Sequence, residues 1–141
     1  MEDFIINGHV DFGFIRSPSS YQLDMIPFDP EPLYAILPAN HRLAAHTVLS
    51  PGDFEGEEFI LLDDGYSNEI RAYFSKRYSS PKISQTVKGN LALFGMVNCG
   101  MGISIVPAPM TTILPSNIIC RALDPPIYRS IALAYKDRAK L

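Results

Sequence analysis

Apolar positions along this chain fall into short continuous runs more often than into strict alternation. Residues 33–37 read LYAIL, 59–62 read FILL and 103–106 read ISIV. Unbroken runs of this length predict strands buried on both faces. Between the second and third runs the period changes. Ile70, Tyr73, Phe74 and Tyr78 fall at i, i+3, i+4 and i+8, which predicts one apolar helix face. Glu69 in its first turn, with Lys76 and Arg77 in its last, suits the helix dipole. Residues 83–87 predict a strand. Residues 91–99 are apolar nearly all round and predict a buried helix, with Asn90 as its N-cap.

Further runs at 10–15 (VDFGFI), 23–28, 118–123 and 127–135 predict strands. Pro27, Pro30 and Pro32 limit the one at 23–28 to an edge or a crossover. A helix end at 2–7 closes on Gly8, and a helical turn fits 110–114. The order is β, β, β, then βαβαβ, then β, β. Strands alternating with helices predict an α/β fold with mostly parallel sheets.

The glycines in NLALFGMVNCGMGISIVP, residues 90–107, follow a helix and precede a strand. A dinucleotide or P-loop site needs strand, glycines, helix. Gly100 and Gly102 therefore read as a helix C-cap and a tight turn. The chain has 141 residues, 47% hydrophobic and 19% charged, which fits one domain or two small lobes sharing strands. Its net charge of −3 and lack of a basic cluster argue against direct nucleic-acid binding by these residues. Cys99 and Cys120 lie in apolar runs outside any CxxC or CxxH pattern, so they read as reduced core thiols and not as zinc ligands. The N-terminus has no basic-then-apolar leader pattern, and no run is long enough to span a bilayer. A cytoplasmic protein is expected.

Chemistry in open α/β sheets sits at the carboxyl ends of strands, where helix N-termini point. Three such ends are readable. Residues 59–62 run into Asp64, Gly65, Tyr66, Ser67 and Asn68. Residues 83–87 run into Lys88, Gly89 and Asn90. Residues 10–15 run into Arg16 and Ser17. Together they offer backbone N–H groups, small polar side chains and cations, a set suited to a small anion such as a carboxylate. Taken singly, Ser67 and Asn90 read as helix caps and Arg16 as a surface charge. Their convergence is what points to a ligand.

Catalytic and metal readings are weaker. Asp63 and Asp64 are adjacent at a turn, where carboxylates are usually solvated. His9 and Asp11 share a strand face but lack a third ligand. His41 and His46 are five apart in a loop. No GxSxG, HExxH or GxxxxGK[ST] occurs. No catalytic residue, metal or cofactor is assigned.

Several stretches, taken in order, resemble a known family. They are VDFGFI after a helix end, LDMIPFDPEPLYAILPANHRLA, EEFILLDDG and MVNCGMGISIVP. Gly8-His9-Val10-Asp11 fits a Gly-x-x-Asp pattern, and Pro38 and His41 follow the crossing strand. The run from Gly100 to Pro107 fits Gly-x-Gly-Ile, two further residues, then Val-Pro. The chain thus resembles the effector-binding domain of LysR-type transcriptional regulators over nearly its whole length.

The resemblance implies a two-lobed fold like type 2 periplasmic binding proteins, with a small carboxylate effector held between the lobes and no enzymatic activity. It implies that lobe one is incomplete (residues 1–32 and 118–141) and that residues 33–117 form lobe two. Missing strands of lobe one would leave a sheet edge to be covered by another chain or a rearranged segment. It also implies a homodimer or higher oligomer, and DNA contact only through an N-terminal winged helix-turn-helix outside these residues. Arg16 and the loop Asp64 to Asn68 match positions that contact effectors in the family. A solute-binding protein of similar fold and an enzyme on a two-lobed scaffold are the alternatives.

Overall fold

The computed structural model describes all residues except Pro18, Ser20 and residues 64–66, and it describes no side chain at Ser67 or Asn68. The elements in order are α1 (Glu2–Ile6), β1 (Phe12–Arg16), β2 (Asp24–Pro27), β3 (Glu31–Pro38), β4 (Val48–Leu49), β5 (Glu58–Leu62), α2 (Ser67–Ser75), β6 (Lys82–Val87), α3 (Asn90–Asn98), β7 (Ser104–Pro107), β8 (Ile118–Leu123), β9 (Tyr128–Arg129) and β10 (Ile131–Tyr135). Single 3-10 turns at Arg42–Ala45 and Pro51–Phe54 flank β4, and a longer one covers Ala108–Ile113.

The chain forms two compact units. The first comprises Met1–Glu31 and Arg129–Leu141, the second Pro32–Tyr128. Residues 118–128, assigned to lobe one from sequence, lie in the second unit, because β8 pairs antiparallel with β3 and parallel with β4.

The first unit is a three-stranded antiparallel sheet in the order β1-β10-β2. One face carries small residues, Gly13, Ala132 and Ala134, and α1 packs there through Ile5. A Cβ on Gly13 would meet the Met1 sulfur at 2.7 Å and Ile5 Cδ1 at 3.4 Å, so the small residues are what let the helix sit close. Gly8 closes α1 at φ +74°.

The second unit holds the larger core. β3 lies between β7 and β8, antiparallel to both. β5 pairs in parallel with β6 and bridges in parallel to Ile103. Ile36, Phe54, Phe59, Ile60, Leu62 and Ile105 are fully buried. Phe54, Phe59, Phe74 and Tyr73 stack edge to face, with centroid separations between 5.1 and 6.1 Å.

Parallel pairing therefore holds for β5–β6 and β4–β8, whereas β1–β10, β10–β2, β3–β7 and β3–β8 are antiparallel. The unbroken apolar runs reported burial on both faces, and β3 and β7 meet that condition while pairing antiparallel. Run 127–135 also breaks at Ser130 into β9 and β10.

Helix α3 departs most from expectation. Only Leu93, Phe94 and Val97 are buried, while Leu91 is 87% exposed. Cys99 is exposed and Cys120 half-buried. The helix buries one stripe only, and between the terminal Asn90 and Asn98 its exposed side carries no polar residue to mark it. Gly100, at φ +76°, does cap the helix. Its N–H donates to Val97 O at 3.0 Å, and Met101 N–H donates to Met96 O at 3.0 Å, the paired bonds of a Schellman motif. On α2, Ile70, Tyr73 and Phe74 are buried, whereas Tyr78 lies past the helix end, exposed and at φ +54°.

Candidate functional site

The parallel register of β5 and β6 brings their carboxyl ends side by side. Leu62 is opposite Val87, and the next residue, Asp63, donates its N–H to Val87 O at 2.8 Å. From this shared edge each strand feeds a helix, β5 into α2 from Ser67 and β6 into α3 from Asn90. The carboxyl ends of β5 and β6, from which the site of this unit was proposed, thus lie side by side. Asp64, Gly65 and Tyr66 lie outside the described residues, as do the side chains of Ser67 and Asn68.

Lys88, Gly89 and Asn90 are all exposed. Gly89 adopts φ +88° and ψ 141°, a conformation that favours glycine over residues with a Cβ. Gly89 is the N-cap and Asn90 the first helical residue, with no side-chain capping bond. The expectation that Asn90 caps the helix is corrected by one position, because Asn90 is already helical and Gly89 is the last residue outside the helix. The first turn of α3 contains no acidic residue. Its N–H groups and the dipole are left to attract an anion, with the Lys88 ammonium next to them in sequence.

In the first unit, Arg16 ends β1 opposite Ile131 and is half-buried. Ser17 follows it, and its N–H already donates to Ser130 O at 2.9 Å. That backbone donor is committed to the strand pair, so Ser17 has only its hydroxyl to offer a ligand.

The remaining titratable clusters of the second unit do a different job. His41 Nδ1 accepts from Leu43 N–H at 3.1 Å, which leaves Nε2 to donate to Glu57 Oε2 at 3.1 Å. Arg42 Nε donates to the other Glu57 oxygen at 2.8 Å. Beside this clamp, Glu58 and Lys82 pair at 2.9 Å. Their mutual hydrogen bond holds the Glu58 carboxyl below its usual range and the Lys82 ammonium above its own. Both clusters sit at the amino ends of β5 and β6, opposite the proposed site. Among the described residues no group of three or more His, Cys, Asp or Glu is placed to hold a metal, and no helix is long and apolar enough to cross a membrane.

A cleft of about 330 Å³ lined by Pro38, Ala39, Asn40, Asn98 and Asn117 was not foreseen. It lies at the far end of α3, and only its three separated asparagines could have signalled it. A groove of about 370 Å³ runs between α2 and Pro126–Tyr128, lined in part by Tyr73, Arg77 and Tyr128.

The known proteins this chain resembles share this architecture. Residues 1–141 match the family model described as LysR substrate binding domain. The Hca operon transcriptional activator HcaR of Escherichia coli is 28% identical over 127 residues, 86% of this chain and 43% of that protein. The chain thus spans less than half the length of this relative. Among solved structures, a putative LysR family transcriptional regulator from Pseudomonas aeruginosa superposes with a TM-score of 0.88 at 23% identity, over 99% of this chain and 51% of that one. The BenM effector binding domain, solved with its effector benzoate, superposes with a TM-score of 0.84 at 25% identity, over 99% of this chain and 67% of that one. With a family model matched from the first residue to the last, this chain belongs to the LysR substrate-binding domain family.

Proposed function

We propose that this chain is the effector-sensing part of a LysR-type transcriptional regulator and that it binds a small carboxylate. The single observation that carries the proposal is the paired carboxyl ends of β5 and β6, each feeding a helix, with Lys88 and the acid-free start of α3 beside them. Backbone N–H groups at a helix start, with an adjacent cation, suit a compact anion better than a neutral ligand. Lys88, Gly89, Asn90 and the loop Asp64 to Asn68 are assigned to this ligand, and Arg16 and the Ser17 hydroxyl are the ligand-binding candidates of the first unit. We take the first unit as lobe one of the family fold and the second as lobe two.

The ligand acts by preferring one of two conformations and shifting their populations. A homo-oligomer in the cytoplasm, reaching DNA through a segment outside these residues, completes the reading. No catalytic step is assigned. That BenM was solved with benzoate supports the choice of a carboxylate.

Benzoate and a panel of small carboxylates are titrated into the chain, with melting temperature and binding heat as readouts. A binder at 100 times its Kd adds about 2.7 kcal/mol of stability. Lys88→Ala and Arg16→Ala each weaken that binder tenfold or more. A binder indifferent to both substitutions, or a panel with no binder, overturns the assignment.

A further inference from the structure

The groove between α2 and Pro126–Tyr128 encloses about 370 Å³ and shares no residue with the strand-end site. Its two walls are tied together and held in place. Tyr73 Oη donates to Pro125 O at 2.8 Å, which joins α2 to the facing segment. Leu33 donates its N–H to Ile127 O at 2.8 Å, which pins that segment to β3. The groove is thus shaped before any ligand arrives, and its volume falls in the range of small-molecule sites.

One wall is a helix row. Glu69, Ala72, Tyr73 and Lys76 recur at i, i+3, i+4 and i+7, and Lys76 N–H still donates to Ala72 O at 3.0 Å. Ala72 is the small member of the row, and its short side chain leaves room above the buried Tyr73. On the opposite wall Ile127 is buried, while Tyr128 is 52% exposed. Among the described residues the Tyr128 ring stacks on no other ring. A buried aromatic floor, a half-open aromatic wall and a gap between them suit a flat ring.

The cations stand together at one end. Lys76 and Arg77 line it, and Glu69 lies about 10 Å back along the helix. The Arg77 guanidinium is fixed 4.5 Å from the centre of the Tyr73 ring, and its Nη1 donates to Tyr73 O at 3.0 Å. Among the described residues the Lys76 ammonium has no hydrogen-bond or ion-pair partner. An acidic group on the occupant is drawn to this end.

We propose that this groove is a second ligand site, and that it takes a flat aromatic anion. The ring lies against Tyr128 and over Ala72, and the acidic group pairs with Lys76 and Arg77. The site is independent of the strand ends, where Lys88 and helix N–H groups are assigned to a compact carboxylate.

The test titrates naphthalenesulfonate, a flat aromatic anion charged throughout the neutral range, into the isotope-labelled chain and follows its backbone amide resonances. Saturable shifts are expected at Ala72, Lys76, Ile127 and Tyr128. Methanesulfonate lacks the ring and naphthalenesulfonamide lacks the charge, and each should bind about fivefold or more weakly. Lys76→Glu and Tyr128→Ala alter exposed positions. Both should keep the circular dichroism of the parent and weaken naphthalenesulfonate by about fivefold or more. Shifts centred on residues 88–90, or anywhere else outside the groove, overturn the proposal, as does the absence of saturable shifts. So does equal binding of the sulfonamide, or an affinity that neither substitution moves.

Discussion

A side chain on Gly102 would place its Cβ 2.8 Å from the carbonyl oxygen of Glu58. The two residues are held there because Ile103 donates its N–H to that same oxygen at 2.9 Å, and Ile60 donates back to Ile103 O at 2.9 Å. Ser104 Oγ adds a bond to Ile60 O at 2.6 Å. The contact is backbone on both sides, so neither can move without breaking the bridge between β5 and residue 103. Gly102→Ala is expected to cost about 1–3 kcal/mol by overpacking, read as a lower urea midpoint. Gly100→Ala acts differently, through the positive φ of the helix cap, and should cost about 1–2 kcal/mol. Gly100→Asn should recover part of that, because Asn tolerates the left-handed region. At position 102 Asn should fare no better than Ala.

Tyr73 carries an alkaline signature. Its ring is buried and its hydroxyl donates to Pro125 O at 2.8 Å. Burial pushes the hydroxyl from 10.0 up to about 12; the Arg77 guanidinium opposes the rise and Asp124 adds to it. The folded chain thus holds the proton more tightly than the unfolded one. Stability from this group is complete below pH 10 and is lost as pH rises from about 10 toward 12. Tyr73→Phe should lower the urea midpoint at pH 8, through the lost hydrogen bond, and show a smaller further loss than the parent between pH 9.5 and 11.5. Equal alkaline losses in both proteins would remove Tyr73 as the source.

The clamp at Glu57 should dominate its surroundings. Glu57 is mostly buried and accepts from both His41 and Arg42, whereas Arg42 is largely exposed. Removing Glu57 leaves two donors short of a partner, one on the half-buried His41 ring. Glu57→Ala is expected to cost about 1–3 kcal/mol, and Arg42→Ala under about 1 kcal/mol. Urea midpoints at pH 7.5 decide the order, and equal losses would refute it.

The parts of this fold legible in sequence are those set by local chemistry. LYAIL, FILL and ISIV announced buried strands because burial on both faces leaves no polar position. The cap at Gly100 was readable because a helix stop needs a positive φ. Pairing direction was not readable, since an apolar run looks alike in either ladder. The true role of Gly102 was also hidden: nothing local says that the backbone of residue 58, 44 positions earlier, will lie against it. The geometry behind the proposed site was half legible. The strand ends were found from the residues alone, but that β5 and β6 terminate side by side follows from register, which no single strand encodes. Burial of Leu91 and Cys99 was misjudged because apolar composition was read as enclosure, whereas α3 buries only the stripe of Leu93, Phe94 and Val97.

The start of α3 separates a capping residue from a helical one. Asn90 would be worth about 1 kcal/mol as an N-cap. Gly89 holds that position instead, and the Asn90 side chain makes no capping bond. Asn90→Ala should therefore change stability by less than about 0.5 kcal/mol, as at an ordinary surface position. Gly89→Ala meets no steric neighbour within 4 Å, so its cost of about 1–2 kcal/mol should come from φ alone. Leu91→Ser, at an exposed position, should be close to neutral, while Val97→Ala on the buried stripe opens a cavity and should cost about 2–3 kcal/mol. The four urea midpoints form a ranked series in which Val97→Ala loses most, Gly89→Ala follows, and the other two are nearly silent. A large loss at Asn90 would place the cap there after all and move the anion-attracting N–H groups of the proposed site one residue along the helix.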